Sequence, residues 1–565
     1  MRRPILTLGF FLLASSYLAA QQADVETRAM KDEMQRSMKQ LHLEGADGPY
    51  FIAYKIVDTD TVEAQASLGS LTSSGEGRSR FLSVAVRVGS YDLDNTNAPS
   101  AGSGMAALLS SLASSAVVLP IDDSYDELRR KIWLATDSAY KKAVEDFSAK
   151  KAALESKGRD EKIPDFSKEP ARQESEILPP VHEKLTDAEH LVRAASVVFR
   201  TLPGVQASEA RFEVVNSTEH FLNSEGTTYT RQIPELYFHA SASMQNSTGE
   251  IFNDSCSEYG RSLAELPAEA ALVQESQAVV DRLTARRKGH VAKRYNGPVL
   301  FEGQSAAELF AHHFAEQLSS HPHSSNGASL LALFNGPGSN TTSSLLNKVG
   351  SRVLPEFLTV VDNPQLTQAD GHTLFGNYKF DEEGTPSQET VLVKGGFLKT
   401  LLTSRSPVRG MLQSTGNMRE RGTLPGNLFL DTTKSASEDE LKAQLLDLVK
   451  ARSLEFGIII RRLSGNAALE CTRVYADGHE EALRDARVAE VTVSSFKDVL
   501  AVSKDRTVYT ERAGITSLAA LLSHSDLVSY VVPDLLFEDM TVEHVPNESP
   551  KLPDIPSPLE TVQKP

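Results

Sequence analysis

Cysteine is nearly absent: Cys256 and Cys471 are the two in 565 residues. This is no disulfide scaffold, although the two thiols could pair in an oxidising compartment or stay apart. Tryptophan occurs once, at Trp133. No dense run of Lys or Arg offsets a net charge of −17. The longest basic cluster, 286-RRKGHVAKR-294, reads as a helix end and linker. Phosphate backbones need a positive surface, so nucleic acid is excluded as a partner. Past the first twenty residues no apolar run is long enough to span a bilayer. There is no Walker loop, dinucleotide fingerprint or Gly-x-Ser-x-Gly elbow. The acidic stretch 381-DEEG-384 lacks the Asp spacing of a calcium loop and reads as a turn into a hairpin.

What is present begins with a leader. In 1-MRRPILTLGFFLLASSYLAAQQ-22, Arg2 and Arg3 precede a short apolar run and the small residues Ala19 and Ala20. That is the layout of a secretory signal removed near residue 20, which places the mature chain in the periplasm or outside the cell. Arg2-Arg3 also leaves twin-arginine export open. With 40% hydrophobic and 24% charged residues, the rest has the balance of a soluble globular protein too long for one core.

Met30, Met34, Met38 and Leu41 recur at helical spacing and form a packing face. Alternating β-branched and aromatic residues mark strands at 50–57, 61–69 and 81–93. Residues 94–120 lack any period and read as a loop, and 124–157 reads as a charged helix. The prolines at 164, 170, 179 and 180 mark a crossing segment. Helices are expected at 186–201 and 267–288, around a hairpin in 209–244 that turns at 223-NSEG-226. Gly395-Gly396 sits between two apolar runs and suits a primed hairpin turn. Strands are also expected at 457–463 and 488–496, and the proline-rich end after 545 reads as extended or disordered.

Several of these segments resemble the TldD/PmbA family, metallopeptidase-like proteins once called modulators of DNA gyrase. The stretches are 81-FLSVAVRVGSYDLDNT-96, 221-FLNSEGTTYTRQ-232, 361-VDNPQ-365, 375-FGNYKFDEEGTPSQETVLVKGGFLKTLL-402, 414-STGN-417 and 457-GIIIRRLSG-465. The run Asp-x-Glu-Gly-x-Pro around 381–386, leading to Gly395-Gly396, is the most specific part. The resemblance implies dimers, of one chain or of an active and an inactive paralogue. In the TldD branch a helix bearing His-Glu-x-x-x-His and a late cysteine bind zinc. The PmbA (TldE) branch lacks those ligands.

The stretch 305-SAAELFAHHFAEQLSS-320 falls where that helix belongs. In one register Ala307 replaces the first His while Glu308 and His312 are kept. In the other Glu308 and Leu309 replace His and Glu, His313 is kept, and Glu316 follows three residues on. Neither register is complete, and 515–540 holds no cysteine. A catalytic zinc usually takes three protein ligands and a water whose proton a Glu can shuttle. The candidates for metal are therefore Glu308, His312, His313 and Glu316, with Glu308 also the candidate catalytic base and zinc the cofactor only if the site is active. The competing reading is structural: Ser305 and Glu308 form a capping box, and Glu308, His312 and Glu316 line the polar face of an amphipathic helix. His321 and His323 read as loop residues.

The sequence thus predicts an α+β chain. A signal at 1–20 precedes an α/β domain at 23–290, with an antiparallel sheet, flanking helices and an insertion at about 94–180. A β-rich, barrel-like or layered domain follows at 291–545, then a tail at 546–565. The expected role is a non-catalytic TldE-like subunit that binds peptide beside an active TldD-type paralogue. An active metallopeptidase with altered ligands and an envelope scaffold for protein partners are the alternatives.

Overall fold

A computed structural model describes residues 24–98, 117–157, 162–320, 343–420, 422–489, 491–512, 526–545, 552–553, 555 and 557–561. The leader, His321, His323 and most of the carboxy-terminal tail lie outside the described residues.

The alternation in 50–57 and 81–88 builds one long hairpin, β1 (Pro49–Ser67) and β2 (Ser70–Val88). Its turn residues Leu68 and Gly69 have φ of 50° and 80°, the primed-turn geometry that matches strand twist. A short edge strand β3 (Val117–Val118) pairs with β2 at Phe81 and Leu82. β4 (Gln173–Ile177), β5 (Val205–Asn223), β6 (Thr228–Gln245) and β7 (Ile251–Gly260) complete a seven-stranded sheet in the order β3-β2-β1-β5-β6-β4. β4 runs parallel to the start of β6, and β7 runs antiparallel to the rest of it.

Helices α1 (Val25–Gln40), α2 (Tyr125–Lys157), α3 (Leu185–Val197) and α4 (Glu269–Lys288) flank this sheet. Met30 and Met34 of α1 pack with Ile52, Tyr54 and Leu82. The expected insertion contributes to the same core. Leu128, Ile132 and Tyr140 of α2 are buried in it, and the Tyr140 hydroxyl donates to the Asp47 carbonyl at 2.8 Å. The charged exterior of α2 hides an apolar stripe that covers the hairpin.

The second sheet has twelve strands. They are β8 (His290–Val291), β9 (Tyr295–Phe301), β10 (Leu358–Asp362), β11 (Thr390–Lys394), β12 (Phe397–Leu398), β13 (Asn427–Thr432), β14 (Phe456–Ser464), β15 (Ala467–Tyr475), β16 (Glu480–Arg484), β17 (Ala486–Ala489), β18 (Val499–Arg512) and β19 (Leu527–His544). Five of them close on themselves: β9 pairs β14, β14 pairs β15, β15 pairs β17, β17 pairs β19, and β19 returns to β9. The expected barrel is therefore present. Closure leaves no free edge among these strands where they pair. The expected strand 488–496 is shorter, because the ladder stops at Ala489 and Val493–Asp498 turns into a 3-10 helix that buries Val493 and Phe496. Two further helices matter, α5 (Gln304–His313) and α6 (Glu438–Ala451). Among the described residues no helix is long and apolar enough to cross a membrane.

The sheets are joined by buried ion pairs. Lys55 of β1 bonds Glu382 at 2.7 Å and also pairs with Glu420. Arg231 of β6 bonds Glu219 at 2.5 Å and pairs with Glu382. Arg405, 1% exposed, bonds Glu225 at 2.7 Å and lies 4.0 Å over the Phe166 ring.

Candidate functional site

β9 delivers the chain to α5 through Gly303, whose φ of +57° suits glycine. Its N–H donates to Asp534 Oδ1 of β19 at 2.7 Å. Gly303, with no side chain, holds the cap position, so the expected capping box is absent. Ser305 lies within the helix and donates to the Ile460 carbonyl at 2.6 Å. Glu308 turns away from its own backbone. It accepts from Gln304 Nε2 at 2.8 Å and from Leu463 N of β14 at 3.0 Å. At 6% exposure it is a buried tie between helix and barrel and no part of a solvated face. Burial pushes its carboxyl above the usual range, against the bonds from Gln304 and Leu463.

Phe310 and Phe314 stack at 5.4 Å and both meet Phe496, so the apolar face packs as expected. α5 ends at His313 and a 3-10 turn, Ala315–Leu318, carries Glu316. His312 spends its nitrogens in two directions: Nδ1 lies 3.7 Å from Glu316, and Nε2 lies 3.5 Å from Glu511 of β18. The interaction of its N–H with the Glu316 carboxylate and the charge of Glu511 raise its pKa to about 9 against burial. Among the described residues His313 Nε2 is buried without a hydrogen-bond partner, and burial lowers that imidazole against an interaction with Asn466. Glu511 also accepts from the Tyr509 hydroxyl at 3.3 Å.

These donors do not fit a zinc ion. A metal needs donors converging on one point, yet the two carboxylates beside His312 face opposite nitrogens. Among the described residues one set of three such donors lies within 4.8 Å of one another: Glu219, Glu382 and Glu420. Those carboxylates already hold Lys55 and Arg231. Burial pushes the Glu382 carboxyl up, but Arg231 and Lys55 outweigh it and hold it well below the usual range. The 381-DEEG-384 turn fastens the two sheets. Asp381 accepts from the N–H groups of Glu383, Thr385 and Met418, and Glu383 accepts from Arg405 N.

Beside α5 lies a cavity of about 610 Å³ between the two sheets. Ser255, Cys256, Ser257, Glu258 and Tyr259 of β7 form one wall, and Val508, Tyr509, Thr510 and Glu511 of β18 another. Successive side chains of a strand point to opposite faces. Unbroken runs along a wall therefore mean that strand edges face the cavity. Among the described residues no second strand pairs along these stretches: β7 pairs with β6, and β18 pairs with β19 and, farther along at Ser503, bridges Ala436. Glu308, Arg462, Gly371, His372, Thr373 and Phe375 contribute to the rest of the lining. Sequence reasoning missed this cavity, because its walls are about 250 residues apart in the chain and neither run carries a motif. The two cysteines are unpaired: Cys471 is buried in the barrel and Cys256 lines the cavity, where burial pushes its thiol up to about 12.

The part of the chain that carries the barrel and α5 is metallopeptidase-like. Residues 293–544 match the PmbA/TldA metallopeptidase C-terminal domain. A metalloprotease of Methanocaldococcus jannaschii is 40% identical over 77 residues, 14% of this chain and 16% of that protein. A metalloprotease TldD homolog of Buchnera aphidicola is 30% identical over 146 residues, 25% of this chain and 27% of its own length. The solved structure of TldE from Thermococcus kodakarensis superposes with a TM-score of 0.56 at 14% identity, covering 91% of this chain and 99% of that one. At that identity the likeness is one of fold. Residues 293–544 thus carry the C-terminal metallopeptidase domain of the PmbA/TldD family, and the chain spans less than a third of the length of these two curated relatives.

Proposed function

We propose that the chain is the exported, non-catalytic subunit of a TldD/PmbA-type peptidase, holding an unfolded peptide beside an active paralogue. The observation that carries this reading is the pairing of His312 with two carboxylates on opposite nitrogens, next to a cavity framed by two strand edges that no second strand pairs among the described residues. An extended peptide can add to such an edge through main-chain hydrogen bonds. The paralogue would supply the zinc, the activated water and the proton shuttle. The fold likeness to TldE supports the pairing, and the leader at 1–20 supports export.

The test is to express the mature chain alone and with a paralogue that carries intact His-Glu-x-x-x-His and the late cysteine. The lone chain is expected to contain no stoichiometric metal and to leave a labelled unfolded peptide intact. The pair is expected to cleave it, and His312→Ala in this chain should lower that cleavage by less than tenfold. Stoichiometric zinc in the lone chain, with cleavage abolished by His312→Ala, would replace this reading with an active peptidase of altered ligands.

A further inference from the structure

Acidic groups outnumber basic ones in the cavity lining. Glu258, Glu265, Glu275, Glu308 and Glu511 line it with the guanidinium of Arg462. Glu511 faces His312 and Glu308 is held by Gln304 and Leu463 N, which leaves Glu258 and Glu275 as the acids to be answered. Arg462 is committed to the walls, donating to Gln304 Oε1 at 2.6 Å and to the Ser255 carbonyl at 2.9 Å. Among the described residues neither Glu258 nor Glu275 has a basic partner. Burial and the charge of Glu275 push the Glu258 carboxyl upward, as expected for like charges held together. The rings of Tyr259, Tyr509 and Phe375 stand beside these acids, and aromatic faces attract cations as carboxylates do.

The site itself stands on the cavity and its two strand edges. We infer that the charge on its walls makes it select peptide segments carrying Lys or Arg at alternate positions. The inference rests on the peptide-holding reading above. A strand added to the β7 edge turns every second side chain to the same face, about 6.6 Å apart. Basic groups on that face would meet Glu258 of β7 and the neighbouring Glu275 of α4. A cation entering a site already paid for in desolvated carboxylate gains more than one meeting a carboxylate in open water.

The experiment uses the whole mature chain and three fluorescein-labelled octapeptides of the same length, with Lys, Gln or Glu at alternate positions. Binding is read by anisotropy at low and at physiological salt. The Lys peptide is expected to bind at least tenfold tighter than the Gln peptide, and the Glu peptide not at all. E258Q combined with E275Q should weaken the Lys peptide at least fivefold and leave the Gln peptide unchanged, with an unaltered thermal midpoint. Equal binding of all three peptides would overturn the charge selection and leave the peptide reading standing. An unchanged Lys-peptide affinity in the double variant would also overturn it, by placing the contact on the general acidic surface. Failure of every peptide to bind would overturn both.

Discussion

Asp362 shows how far a single residue departs from what its letter suggests. It is fully buried, and its oxygens accept from Asn417 Nδ2 at 2.7 Å and from Gly426 N at 2.9 Å. Burial raises its pKa to about 7, against those two bonds. A folded-state value above the unfolded one gives stability that is complete below the unfolded value near 3.8 and is lost as pH rises through about 7. At 1.36 kcal/mol per unit, the loss between those limits is on the order of 4 kcal/mol at most. Urea unfolding of the wild type should therefore weaken relative to Asp362→Asn between pH 4 and pH 7. An identical pH course in both proteins would contradict it. The same scale explains what the sequence hid about Glu308. Its spacing fits a capping box, yet besides Gln304 it accepts from Leu463 N, 155 positions away. No local pattern reports a bond of that kind.

At the scale of the element, hairpins and helices were legible wherever their signals were local. The turn at Gly395-Gly396 is as expected, with φ of +56° and +79°. A methyl group on Gly396 would come within 2.4 Å of the Leu354 carbonyl oxygen. Gly396→Ala should cost roughly 1–3 kcal/mol, visible as a lower denaturation midpoint. The start of α5 depends on a distant strand. Asp534→Ala would strip the Gly303 N–H of its acceptor and should cost about 1–3 kcal/mol. Asp534→Asn keeps an acceptor and should recover most of that loss in the same assay. What stayed illegible was non-local pairing. The parallel contact of β9 with β14 joins residues far apart in the chain, and the apolar runs of both strands read alike whichever neighbour they take.

For the whole molecule, the junction between the sheets decides behaviour. Arg405 is buried with Glu225 and caps the Phe166 ring, so Arg405→Ala would leave a carboxylate unpaired in the interior. Breaking a buried pair by removing one partner costs about 3–5 kcal/mol. Calorimetry of Arg405→Ala should show a lower unfolding temperature, and two separated transitions in place of one if the halves uncouple. A single unshifted transition would show that the junction carries little of the stability. The segment 381-DEEG-384 was legible as a turn. Its task of binding one sheet to the other was not, since its partners Lys55 and Arg231 come from strands that only the fold brings near.

Lys55 and Arg231 also bear on how such a protein can be cut and inherited. A gene fragment encoding only residues 293–545 would yield a barrel whose Glu382 and Glu420 face water without the cations that now hold them. The matching fragment from the other side would leave Lys55 without these two carboxylates and Arg231 with Glu219 alone. Each half is thus the other's counter-ion reservoir, and recombination that swaps one alone should produce chains that aggregate when expressed.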